Sequence, residues 1–210
     1  VTLGSNVVFA ARGVPNGHEL WITDGTTAGT FELADINPGA NNSSPQDLIN
    51  FGGNVYFEAY GPGIGRELYV TDGTTAGTTL VLDIEAGASS SSPSQFAVAG
   101  SLMVFRAWNA ATGNELWVTD GTASGTSLLV EPVTGSSSSN PGQCFTNGSQ
   151  VFFSLYTPST GTELWVTDGT ATGTMMVMDI NPGSAHSQLT SFTALNSTQI
   201  VFVADNGVTG

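Results

Sequence analysis

Carboxylates supply most of the side chains here that could do chemistry. The chain has 17 Asp and Glu against three arginines, Arg12, Arg66 and Arg106, with two histidines and no lysine. Twelve of the acids fall at recurring positions, in three sets. Glu19, Glu67, Glu115 and Glu163 each open an apolar stretch. Asp24, Asp72, Asp120 and Asp168 each precede Gly-Thr. Asp35, Asp83, Glu131 and Asp179 follow a second apolar stretch. Calcium is held by six to eight oxygens, and carboxylates are its commonest protein ligands. The glutamate set and the third set are therefore candidate calcium ligands, with a cation bridging the two acids of each repeat. The competing reading is that backbone N–H groups satisfy the glutamates, since a buried carboxylate must have donors. The Asp of Asp-Gly-Thr is expected to be structural, its side chain accepting N–H bonds inside a hairpin turn.

No catalytic residue is assigned. His18 and His186 fall in different positions of the repeat, and a zinc or catalytic site needs groups converging from several elements. Cys144 stands where Leu48, Phe96 and Phe192 stand in other copies, so it reads as a small buried hydrophobe. Trp21, Tyr69, Trp117 and Trp165 could stack on sugars, but large aromatics at a repeated strand position are expected to pack between sheets. The net charge of −14 argues against nucleic acid and anionic membrane surfaces as partners. No apolar run approaches the ~20 residues of a membrane-spanning helix, so no membrane insertion is expected.

The elements that place these residues repeat every 48 residues. HELWITDGTTAGT begins at His18, RELYVTDGTTAGT at Arg66, NELWVTDGTASGT at Asn114 and TELWVTDGTATGT at Thr162. Upstream, VVFAA begins at Val7, VYFEA at Val55, MVFRA at Met103 and VFFSL at Val151, and IVFVA at Ile200 arrives one residue late. Each unit predicts four short strands, a to d. Strand b alternates with period two, and one face stays apolar in every copy (Val55, Phe57 and Ala59 in the second). Asp-Gly marks the turn between c and d. Ser-, Gly- and Pro-rich loops join d to the next a. The spacing predicts seventeen strands, beginning at strand b of the first unit, and almost no helix. The units run 1–45 (partial), 46–93, 94–141, 142–188 and 189–210 (partial), within a single repeat domain over 1–210.

Four strands per 40–50 residues is the pattern of a β-propeller blade. The expected fold class is all-β: a β-propeller of four-stranded antiparallel blades with a 48-residue repeat. The preferred form is an arc of a larger propeller, with a small closed ring as the alternative. The chain begins with Val1 rather than Met, which is expected of a mature, trimmed or partial polypeptide.

The four ELWxxDGT segments, each followed by Gly-Thr in register, resemble the ELWxxDGT repeat of bacterial secreted and surface proteins. The resemblance covers essentially the whole chain. Tyr69 in place of Trp and Glu131-Pro132 in place of Asp-Ile are the departures. It implies a propeller-like repeat in an exported, cell-surface or extracellular protein, and it brings no catalytic residues.

The functional expectation is a non-enzymatic surface scaffold or adhesion module. A lectin-like glycan-binding propeller and a fragment of a propeller hydrolase are the alternatives. Partners would be other surface proteins, glycans or further copies of the chain. Binding residues concentrate on varied loops over a rigid scaffold. Here the b–c connections vary, at 12–18, 60–66, 108–114 and 156–162. The candidate contact residues are Arg12, His18, Tyr60, Arg66, Trp108, Asn109 and Tyr156.

Overall fold

The computed structural model describes residues 1–208. Every regular element is a strand, and there is no helix among the described residues. The chain divides into two compact units, Val1–Ser94 and Gln95–Gly210.

The first unit holds two antiparallel sheets, each in simple sequence order. One comprises β1 (Thr2–Leu3), β2 (Asn6–Arg12), β3 (His18–Thr23) and β4 (Phe31–Ala34). The other comprises β5 (Gln46–Phe51), β6 (Asn54–Gly61), β7 (Gly65–Thr71) and β8 (Thr79–Leu82). The second unit repeats the pattern with β9 (Ser94–Ala99), β10 (Leu102–Asn109), β11 (Gly113–Thr119) and β12 (Ser127–Val130). It continues with β13 (Gly142–Asn147), β14 (Gln150–Thr157), β15 (Gly161–Thr167) and β16 (Met175–Met178), then a two-stranded sheet of β17 (Thr190–Asn196) and β18 (Gln199–Val203).

That makes eighteen strands among the described residues, not the seventeen expected. The extra one is β1. Leu3-Gly4-Ser5-Asn6 repeats the turn Phe51-Gly52-Gly53-Asn54, and Gly4 and Gly52 share a left-handed φ of 58° and 60°. The first sheet therefore has a shortened strand a.

Strands b and c are apolar because both their faces are covered. In the second sheet Val55, Phe57 and Ala59 are fully buried, and Tyr56 on the opposite face is only 4% exposed. The constant face of one sheet packs on the back of the sheet before it. In the first unit Val55, Phe57, Ala59 and Tyr69 meet Val8, Leu20, Ile22 and Leu33. In the second unit Val151, Phe153 and Leu155 meet Ala97, Val104, Leu116 and Val118. Phe57, Phe105 and Phe153 are completely buried, and a buried phenylalanine is worth about 3–5 kcal/mol against alanine. Side chains also reach between sheets to backbone. Thr75 Oγ1 donates to Leu33 O at 2.8 Å, and Thr146 Oγ1 to Val98 O at 3.1 Å.

These are β-propeller blades: four-stranded antiparallel sheets that stack face to face within each unit.

Candidate functional site

The Asp-Gly-Thr turns are closed by their own side chains. Asp24 Oδ1 accepts the N–H and the hydroxyl of Thr26, at 2.8 and 2.7 Å. Thr26 Oγ1 accepts the N–H of Gly29, and Thr30 Oγ1 donates back to Thr26 O. The same bonds recur around Asp72, Asp120 and Asp168. The Thr26 hydroxyl and amide hold the exposed Asp24 carboxyl below its ordinary value, and the other three are held down likewise. The later glycine of each motif is required by space, since a Cβ on Gly77 would lie 2.0 Å from Asp72 Oδ1.

The strand-c glutamates are fully buried and held by donors from the d–a loop. Glu19 Oε1 accepts the N–H of Ser43 at 2.7 Å. Its Oε2 accepts the Ser43 hydroxyl and, at 3.0 Å, the N–H of Ile36. Glu67 is held in the same way by Ser91 and Ile84, and Glu115 by Ser139. The serine also reaches forward. Ser43 O accepts the N–H of Tyr60 on the following sheet, and Ser139 O that of Tyr156, both at 2.8 Å. The Glu19–Ser43 and Glu115–Ser139 pairs thus tie one sheet to the next. Burial pushes Glu67 and Glu115 up to about 7, against the pull of their serine bonds, and the charges of Asp83 and Glu131 add to the push.

The fourth repeat departs from this. Ile180 still donates to Glu163 Oε2 at 2.9 Å, but the Ser187 N–H turns to Thr162 O instead. Glu163 Oε1 is left buried without a donor, and so is Asp179 Oδ1, as Asp83 Oδ1 is in the second repeat. The acids after strand d otherwise accept loop N–H groups. Gly39 donates to Asp35, Gly87 to Asp83, Gly135 to Glu131 and Gly183 to Asp179.

The candidate contact residues lie at the ends of the b–c ladder rather than in free loops. Arg12 pairs with His18, Tyr60 with Arg66, Trp108 with Asn114, Asn109 with Gly113 and Tyr156 with Thr162. The ladder extends this far because a glycine begins strand c in three repeats. Gly65, Gly113 and Gly161 have φ of 71–76° and press against the d–a loop, where a Cβ on Gly161 would meet Ala185 O at 1.9 Å. Arg12 and Tyr60 are exposed, and the other five are half-buried.

The structure adds a d–a loop residue to each of these ladder ends. Asn42 Oδ1, Ser90 Oγ, Ser138 Oγ and His186 Nδ1 accept the N–H of His18, Arg66, Asn114 and Thr162, at 2.7 to 3.0 Å. All four lie 24 residues beyond the amide they cap.

Around this cap the repeats diverge. In the second, Arg66 pairs with Glu58 at 3.4 Å and also reaches Ser44 O. Burial raises the Glu58 pKa, and the Arg66 charge opposes the rise. In the fourth, Ser154 and Thr162 replace Glu58 and Arg66, and a cavity of about 400 Å³ opens there. Gln143, Ser154, Thr162, His186, Gln188 and Leu189 are among the residues that line it. The His186 ring stacks on Tyr156, with centroids 5.9 Å apart.

Of the strand-c aromatics, Tyr69 is buried in the first unit's core and Trp165 packs against the second's. Trp21 and Trp117 are half-buried. Cys144 packs against the same core as Trp165, and burial pushes its thiol up to about 12.

No family model matches the chain, and neither does any curated protein. Solved structures do match. A puromycin hydrolase aligns over 95% of this chain at 15% identity, with a TM-score of 0.55. Its S511A mutant complexed with PGG aligns over 94% with the same identity and score. A structure from a study of two prolyl endopeptidases aligns over 95% at 11% identity, with a TM-score of 0.52. The chain spans 31% of the length of the first two and 29% of the third. At these identities the likeness is one of fold.

Proposed function

We propose that the chain is a non-enzymatic scaffold or adhesion module of an exported, surface-associated protein, with recognition placed at the varied end of the b–c ladders. One observation carries this reading. The repeated acids and serines are engaged in closing turns and tying sheets together, while the side chains that differ between repeats gather at one ladder end of each sheet. Repetition then serves avidity, since weak contacts on linked modules multiply. The ELWxxDGT resemblance supplies the exported setting, and surface proteins, glycans or further copies of the chain are the partners.

The purified chain should turn over no peptide, glycoside or phosphoester substrate, and should bind cell-surface or matrix material. Steady turnover that follows the protein through a second purification step would end this reading.

A second reading is favoured by the fold match to hydrolases. Here the chain is the propeller part of a longer hydrolase, and the reacting groups lie in another domain. The intact mass of the native polypeptide separates the two. A mass well above 21.5 kDa, with a hydrolase signature in the additional sequence, supports the second.

We assign calcium first to the fourth repeat. Backbone and hydroxyl oxygens would have to complete the cage there, since no group of three or more His, Cys, Asp or Glu among the described residues could hold a metal ion. Glu163 Oε1 and Asp179 Oδ1 are buried acceptors with no donor, the kind of oxygens a hard cation takes. In the first two repeats the glutamate already holds three donors. Added calcium should raise the melting temperature and EDTA should lower it. Glu163→Gln should abolish that response and Glu19→Gln should keep it. A melting temperature indifferent to both additions removes the ion from the account.

A further inference from the structure

We propose that the fourth repeat carries a binding site for a neutral sugar residue of a glycan, in the cavity beside His186. The proposal rests on taking the varied b–c edge as the face that meets ligands.

The repeats are their own controls. At matching positions the second repeat has Asp47, Glu58 and Arg66, and the fourth has Gln143, Ser154 and Thr162. Where the second repeat places an Arg–Glu pair, the fourth leaves a space of about 400 Å³. That volume lies within the range of small-ligand pockets, about 300–1,000 Å³. The left-handed turns are shared: Gln143 and Gln188 hold φ of 54° and 48°, and their counterparts Asp47 and Ser92 hold 53° and 46°. The space coincides with the changed side chains and with the Ser187 N–H having turned to Thr162 O.

Its lining selects the ligand class. No Arg, Lys, Asp or Glu is among the lining residues, so nothing there neutralises an anion or a cation. The amides of Gln143 and Gln188 can each donate and accept, as sugar hydroxyls do, while the hydroxyls of Ser154, which donates to Gly142 O, and of Thr162, which is bonded to His186 Nδ1, keep lone pairs to accept. Gln188 Nε2 is oriented by Asp205 Oδ2, at 3.3 Å. His186 Nδ1 accepts the Thr162 N–H at 3.0 Å, so the neutral ring carries its proton on Nε2 and offers one further donor. Leu189, buried where the other repeats have proline, and the His186 ring, backed by its stack on Tyr156, supply apolar surface for the C–H face of a pyranose.

Sibling repeats supply the test variants. His186→Ser keeps the backbone cap, because Ser90 and Ser138 make the same bond at 2.9 Å. Gln188→Asn is compatible with a left-handed φ, because Asn140 holds 46° at the matching position. The full chain and this double variant would be titrated with glucose, galactose, mannose, N-acetylglucosamine and their β-linked disaccharides. Saturation-transfer NMR and calorimetry would follow the binding. Saturable binding of at least one sugar, weakened at least about tenfold in the double variant at unchanged melting temperature, supports the site. No binding across the panel overturns it, and so does binding the double variant leaves intact. Capture of the chain on cell-surface material that survives the double variant also overturns the pocket while leaving the module reading in place. Substrate turnover would end the module reading, and the sugar titration decides the pocket either way.

Discussion

Glu67→Ala should lower stability by about 3–5 kcal/mol, one of the two largest effects expected in this chain. The carboxylate accepts the N–H and hydroxyl of Ser91 and the N–H of Ile84, all in a buried setting. Alanine leaves three donors without an acceptor, at about 1–3 kcal/mol for each one not reached by water. It also frees the loop after strand d that Ile84 and Ser91 anchor. Glu67→Gln keeps an acceptor oxygen and should cost less. Ser91→Ala, which keeps the N–H bond and removes only the hydroxyl, should cost least. Urea unfolding of the three variants would check the order. If Glu67→Ala falls within 1 kcal/mol of the parent, the Glu–Ser tie is not what holds the sheets.

The second large effect is a stability maximum on the acid side of neutrality. Burial raises Glu67 and Glu115 in the folded chain from 4.5 to about 7. Below 4.5 both states hold the proton and stability is full. As pH rises from 4.5 to 7 the unfolded chain ionises first, so the folded state loses ground, and above 7 the loss is complete. At 1.36 kcal/mol per unit each shift corresponds to at most about 3 kcal/mol, reduced by solvent screening. The four turn aspartates act oppositely. Their folded values lie below 3.8, so their contribution is present above that pH and is lost as pH falls through it. The melting temperature should therefore peak near pH 4–5 and fall towards pH 8. The combined Glu67→Gln and Glu115→Gln variant should flatten the alkaline limb. A melting temperature that climbs from pH 5 to pH 8 would mean that the bonded donors outweigh burial and keep these carboxylates ionised throughout.

Much of this fold is legible in the sequence, and what is hidden has physical causes. The 48-residue period, the faces of strand b and the Asp-Gly turns all follow from side-chain type and spacing. The strand Thr2–Leu3 is too short to show any alternation. Only Leu3-Gly4-Ser5-Asn6, set against Phe51-Gly52-Gly53-Asn54, betrays it. The glutamates are visible as repeated buried acids with no arginine to meet them, yet their partners are not. Ser91 and Ser139 sit inside serine runs, where one position looks like the next. The signal is there all the same, because a serine stands 24 residues beyond every strand-c glutamate, including Glu19 and Glu163. His186 looks like a solvated loop residue, and it is exposed. Its place beside Thr162 depends on a connection that doubles back 24 residues, which no local pattern reveals. The cavity could be suspected only by comparing copies and noticing where an ion pair has given way to Ser154 and Thr162.

The forward reach of Ser43 and Ser139 bears on how such a chain can grow and shrink. A gene cut right at the end of strand d, ahead of the serine in the d–a loop, would separate a glutamate from its serine. The surviving copy would keep a buried carboxylate with nothing to hold. A duplication or deletion that starts just after one of these serines and ends just after the next preserves every pair. The heritable module therefore carries its whole d–a loop and ends at the serine, a few residues before the next strand a. Permuted or shortened versions of this chain should fold when their joints fall after these serines, and fail when the joints fall at the end of strand d.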